Sequence, residues 1–128
     1  MSAGAAVSYD EPIVTVLIVD DHPSFRATAR ALLQAEGFVI VGEAEDGASA
    51  LRAAAELSPE LVLLDVQLPD IDGFDVAARL TSDDSAPAVI LVSSRDDSDF
   101  GPCVERSGAR GFIPKAELCG AAIDEVLK

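Results

Sequence analysis

The chain has 128 residues, 49% hydrophobic and 25% charged, which bounds it at one globular domain with a single core. Nine basic against 23 acidic side chains leave a net charge of −14, a surface that repels nucleic-acid backbones and anionic membranes and attracts cations. The only histidine, His22, excludes a multi-histidine zinc site, and no apolar run nears the roughly 18 residues of a membrane span. Cys103 and Cys119 have no CxxC spacing, which fits a reduced, cytoplasmic protein. No asparagine is present to carry N-glycans. Residues 1–12 are Ala, Gly, Ser and acid without periodicity or a basic leader, and read as a disordered tail ahead of a domain at 13–128.

From Ile13 onward, β-branched runs alternate with Ala- and Leu-rich stretches. The first run is Val14–Val19. Pro23 to Glu36 follows as a helix, with Phe25, Ala29, Leu32 and Leu33 on one stripe, Pro23 in its first turn and Gly37 past its end. Phe38–Ala44 is the second strand, and Gly47–Leu57, stopped by Ser58-Pro59, the second helix. Leu61–Leu64 is the third strand and Gly73–Leu80 the third helix. Ala88–Val92 is the fourth strand. A short fourth helix should start near Pro102, because Gly101-Pro102 suits a first turn and not an interior. Gly111–Ile113 is the fifth strand. Ala116–Leu127 reads as the last helix, with Leu118, Ala121, Ala122 and Val126 on one face. Alternation of this kind predicts βαβ units and a doubly wound parallel sheet covered on both faces. Its central strands, Leu61–Leu64 and Ala88–Val92, are apolar throughout, as strands buried on both sides must be. Pro114 offers no ladder donor, so the fifth strand belongs at an edge.

In such a sheet, function gathers at the carboxyl ends of the strands. Asp20-Asp21 follows the first strand, Asp65 the third, Ser93-Ser94 the fourth and Lys115 the fifth. Each alone is ordinary: the Asp pair could be turn and cap residues, Asp65 a turn residue before Pro69, and Lys115 a solvated charge. Together they are not. Three carboxylates at adjacent strand ends repel one another unless a cation sits among them, and oxygen donors point to magnesium. A carboxylate can attack phosphorus to form an aspartyl phosphate, a reaction that mostly needs positioning and charge neutralisation. Asp65, ending the central strand, is the natural nucleophile.

The runs VLIVDDHPSFR, LVLLDVQLPDIDGF, VILVSS and SGARGFIPK resemble the receiver domain of bacterial two-component response regulators over about residues 13–128. The spacings of 44, 28 and 22 residues between Asp21, Asp65, Ser93 and Lys115 agree with that family from end to end. The DDHP opening and the GARGF segment are most similar to the subfamily that carries a LuxR-type helix-turn-helix output domain. The resemblance implies an α/β, flavodoxin-like (βα)5 fold with strand order 2-1-3-4-5. It implies Asp65 as phosphoacceptor for a sensor histidine kinase or phosphotransfer protein. Asp21 becomes a direct Mg2+ ligand, Asp20 a mainly water-mediated one, and Asp65 and the Gln67 carbonyl further ligands. Ser93 and Lys115 would contact the phosphoryl group, and Phe112 takes the place of the aromatic switch. Such a domain catalyses only its own phosphorylation and dephosphorylation, and a phosphorylation-dependent homodimer through helix 4, strand 5 and helix 5 would follow.

Two departures stand out. Family members very often have Pro after the Lys, with a cis peptide between them; here the pair is Lys115-Ala116. A cis bond before Ala would cost about 2.5–4 kcal/mol, so trans is expected. The switch position is Phe and not Tyr, so it can move but cannot donate a hydrogen bond. A phosphatase of the haloacid dehalogenase type, the enzymatic alternative, carries D-x-D after its first strand and a cap insertion; neither is present. A phosphorylation-independent module would not need all five of Asp20, Asp21, Asp65, Ser93 and Lys115. Asp70-Ile71-Asp72-Gly73 echoes an EF-hand loop, but Leu68 and Arg79 would fall where ligands are required. His22, before Pro23, reads as a solvated loop residue, and the acids of 83–84, 96–97 and 99 as solvated loop charge.

Overall fold

The computed structural model describes residues 14–82, 86–94 and 101–127. The expected tail at 1–12 and the acidic groups at 83–84, 96–97 and 99 lie outside the described residues. In chain order the elements are β1 (Thr15–Val19), α1 (Pro23–Ala35), β2 (Val39–Ala44), α2 (Gly47–Leu57), β3 (Leu61–Asp65), α3 (Gly73–Leu80), β4 (Ala88–Ser93), α4 (Gly101–Arg106), β5 (Gly111–Pro114) and α5 (Gly120–Leu127).

The strands form one parallel sheet in the order β2-β1-β3-β4-β5, as expected. Side-chain alternation splits each strand between two cores. Val16, Ile18, Leu61, Leu63, Ile90, Val92 and Ile113 pack under α1 and α5. Leu17, Val19, Val62, Leu64, Val89 and Leu91 pack under α2 and α3. All five residues of β3 and the last five of β4 are buried. Both faces are covered, which is why these runs carry no polar alternation. Each fully buried Leu, Ile or Val contributes about 1.5–3 kcal/mol.

Local chemistry sets the helix starts. His22, extended as a residue before proline must be, precedes α1 with Pro23 at its first turn. Asp46 and Ser49 form a reciprocal capping box on α2. Asp72 Oδ1 accepts from the Phe74 N–H at 2.7 Å to start α3. α4 begins at Gly101, one residue before the expected Pro102, spans six residues and has no buried residue. β5 stops at Pro114 and, among the described residues, pairs only with β4.

The expected continuous helix Ala116–Leu127 is corrected. Lys115–Glu117 is a 3-10 turn, Leu118 is extended (φ −64, ψ 125), and α5 starts only at Gly120. Breaking the helix lets Leu118 drop into the α1/α5 core, where it is 9% exposed. The freed helix start is satisfied twice: Glu36 Oε1 accepts from the Gly120 N–H at 2.8 Å, and Cys119 Sγ accepts from the Ala122 N–H at 3.4 Å. The buried face accordingly carries Ile123, while Ala121 is exposed.

Candidate functional site

The sheet register assembles one rim. Val19 pairs with Leu64, so Asp20 lies beside Asp65. Asp65 pairs with Val92, so Ser93 lies one step beyond it. Ser93 pairs with Pro114, which sends Lys115 out at the same level. Asp20, Asp65 and Ser93 are buried, whereas Asp21 is exposed.

Lys115 bridges the two buried acids. Its Nζ lies 2.5 Å from Asp20 Oδ2 and 3.3 Å from Asp65 Oδ2. It also sits 4.6 Å from the centre of the Phe25 ring, a cation–π contact that roofs the ammonium. Both contacts are ion pairs, the Asp20 one the shorter, and the Asp65 one also has hydrogen-bond geometry. Asp65 Oδ1 accepts from the Gln67 N–H at 3.1 Å. Burial pushes the Asp65 carboxyl above the usual carboxylate range; the Gln67 N–H opposes this, nearby Asp20 adds to it, and Lys115 opposes it.

His22 lies closer to the acids than a solvated loop residue should. Its N–H donates to Asp20 Oδ1 at 2.8 Å, and its ring Nδ1 is 2.8 Å from the same oxygen and 3.1 Å from Asp21 Oδ1. The ring is still 63% exposed, so the reading of a solvated side chain holds in part. One potential ligand atom from each of Asp20, Asp21, His22 and Asp65 falls within a 4.8 Å group. Two buried acids sharing one lysine, with exposed Asp21 in the same group, fit a divalent cation with oxygen donors. Phe112 is half-buried against the α2/α3 core.

The loop after Asp65 is held from two sides. Gly73 donates its N–H to Val66 O at 2.9 Å, and a Cβ there would lie 2.3 Å from Asp65 O. Asp70 accepts from the Gly47 and Ala48 N–H groups at 2.7 and 3.0 Å, which ties the loop to the start of α2. Those backbone donors, Gly47 first, hold the Asp70 carboxyl below its usual range. The acids that echoed an EF-hand are thus helix caps: Asp70 for α2 and Asp72 for α3. The capping role was missed because Asp70 and Gly47 are 23 residues apart. The peptide bonds, Lys115-Ala116 included, are trans among the described residues, and no described helix is long and apolar enough to cross a membrane.

Comparison with known proteins agrees with this geometry. The family model of the response regulator receiver domain matches residues 16–123. A transcriptional regulator of Pseudomonas aeruginosa is 45% identical over 102 residues, 80% of this chain and 49% of that protein. The signal receiver domain of the response regulator NarL from Mycobacterium tuberculosis superposes with a TM-score of 0.78 at 36% identity, covering 90% of this chain and 97% of that one. A LuxR-family two-component response regulator from Aurantimonas gives a TM-score of 0.80 at 27% identity, covering 91% and 86%. The chain spans about half the length of the curated relatives it matches.

Proposed function

The chain belongs to the response regulator receiver domain family, and from that premise we propose that Asp65 is its phosphoacceptor, charged by a sensor histidine kinase or phosphotransfer protein. The observation that carries this is the Lys115 ammonium reaching both Asp20 and Asp65 at the ends of β1 and β3. An Asp65 carboxylate oxygen forms the new O–P bond as the donor's bond to phosphorus breaks, and the donor leaves with the electron pair. The Gln67 N–H fixes one Asp65 oxygen and leaves Oδ2, beside Lys115, to attack. Lys115 then counters charge on the phosphoryl oxygens, with the buried Ser93 hydroxyl one strand over as a further partner. Asp20, Asp21, Asp65 and the Gln67 carbonyl would hold Mg2+, which supplies charge neutralisation at the phosphoryl oxygens.

The output follows from the same rim. Ser93 drawn toward the phosphoryl group vacates space beside β5, Phe112 follows inward, and the face made by α4, β5 and α5 changes. That face would dock a partner or a second copy, in a cytoplasmic phosphorelay. On this reading the domain processes only its own phosphoryl group and does not itself contact nucleic acid, consistent with its net charge of −14.

Incubation with Mg2+ and a small acyl phosphate tests the reading. One acid-labile, hydroxylamine-sensitive phosphoryl per chain is expected, lost in Asp65→Ala. Uptake of the same group by Asp65→Ala, or multiple turnover on phosphomonoesters, would overturn it.

A further inference from the structure

Arg26 lies outside the phosphoacceptor chemistry, yet it holds the peptide that joins the two rim acids. Asp20 follows β1, and its main chain is tied to β2 through both of its polar groups. Its N–H donates to Ala44 O at 3.0 Å. Its carbonyl accepts from Arg26 Nη1 at 2.6 Å, and Arg26 Nε donates to Glu43 Oε1 at 2.9 Å. Arg30 Nε donates to the other oxygen of Glu43 at 2.7 Å. One carboxylate on β2 therefore braces two arginines a helical turn apart on α1. The Arg26 side chain is only 17% exposed, so its fork is held between two fixed partners and is not a solvated surface pair.

The Asp20 carbonyl and the Asp21 N–H share one planar peptide unit. Fixing that oxygen fixes the plane, and with it the direction in which Asp21 leaves β1. Asp21 is itself exposed, so side-chain packing does little to place it. Resting on the proposed Mg2+ site, we infer that Arg26 is a positioning residue for it: through the Asp20 carbonyl it sets the approach of Asp20 and Asp21 to the ion, with Glu43 as its brace. The sign of the effect separates this role from one of charge. Arg26 is a cation near a cation site, so through space alone it repels Mg2+ and its removal tightens binding. As a positioning group it reduces the freedom the acids lose when they close on the ion, and its removal loosens binding.

Calorimetric titration of the folded chain with Mg2+ tests this. Arg26→Met keeps the stem, loses the charge and the fork, and should weaken Mg2+ binding by about tenfold or more. Arg26→Lys keeps the charge without the fork. It should also bind more weakly than the parent, and it stands in for Arg26→Met should that variant fail to fold. Among the described residues Arg30 bonds Glu43 and not Asp20, so Arg30→Met removes an equal charge from the same brace and should leave the affinity within about twofold. With a small acyl phosphate as donor, the Mg2+ concentration for half-maximal phosphorylation should rise in Arg26→Lys, while the rate at saturating Mg2+ stays at the parent's. A merely structural arginine would lower Tm and move neither the affinity of the folded protein nor that split. Unchanged or tighter binding in Arg26→Met, parent-like binding in Arg26→Lys, or equal weakening in Arg30→Met overturns the inference. So does a slower rate at saturating Mg2+ with the half-maximal concentration unmoved. Asp21→Ala separates the two levels. Mg2+ binding indifferent to that change would overturn the metal site itself, whereas binding lost there and kept in Arg26→Met overturns only the role of Arg26.

Discussion

Replacing Lys115 with Met leaves two buried carboxylates facing each other without their cation. The Asp20 and Asp65 side chains are 0% and 4% exposed, and that of Lys115 is 14%. Removing one partner of a buried ion pair costs about 3–5 kcal/mol, because the charge left behind stays desolvated. Two features pull the figure to the lower end. Met retains most of the aliphatic stem and its volume, losing the ammonium and its cation–π contact with Phe25. Asp65, already raised by burial, can take up a proton once Lys115 no longer opposes it. A loss of about 3 kcal/mol is expected at pH 7 in EDTA, and it should lower Tm by roughly 10 °C in a domain of this size. Two treatments should narrow the gap. Mg2+ at about 100 times its Kd stabilises by about 2.7 kcal/mol, and the variant, with its uncompensated acids, should gain more than the parent. Lower pH should act in the same direction. A carboxyl whose folded pKa lies above its unfolded value binds protons more tightly in the fold, so stability rises as pH falls through the folded pKa. Urea unfolding of both proteins, with and without Mg2+ at pH 7 and at pH 5, reads all of these. Parent-like stability of Lys115→Met in EDTA, or a deficit indifferent to both Mg2+ and pH, would refute the account of Lys115 as the counter-ion of a buried pair.

Asp65→Asn should be more stable than the parent at neutral pH without Mg2+, since it removes an ionised group that burial disfavours. Thermal melts should show that advantage shrinking as pH falls toward the ordinary carboxylate range, and an advantage that grows instead would reverse the sign of the argument. Gly73→Ala should cost about 1–3 kcal/mol, because its Cβ would meet only backbone, at 2.3 Å from Asp65 O and 2.7 Å from Val66 Cα. Gly101→Ala meets nothing within 4 Å among the described residues and should stabilise by about 0.4–1 kcal/mol; denaturant midpoints moving alike in the two variants would discredit the distinction. Amides of α4, six residues with none buried, should exchange faster than those of α1 and slow on phosphorylation. Strong protection of α4 before phosphorylation would mean that the helix is preformed and is not ordered by the switch.

Most of the architecture was legible in the chain because it depends on short-range regularities. Uninterrupted apolar runs fix strands buried on both faces, and Pro23, Gly37, Ser58-Pro59 and Gly73 punctuate the helices between them. The rim residues were legible too, because in a parallel sheet the residue after each strand arrives at the same edge, so Asp20, Asp65, Ser93 and Lys115 follow from strand ends alone. What required tertiary structure involves partners distant in sequence. Leu118 interrupts the last helix because the core beneath α1 and α5 accepts its side chain, and Glu36, 84 residues earlier, satisfies the helix that restarts at Gly120. Asp70 reads as a loop acid until α2 presents its N–H groups. His22 has the sequence of a solvated residue before proline, and its approach to the acids is set by the turn its own N–H makes with Asp20. Periodicity and turn chemistry act over a few residues and leave a signature in order along the chain. Capping across elements, ionic contact within the rim and the desolvation of Asp65 depend on which surfaces meet, and only the folded chain determines that.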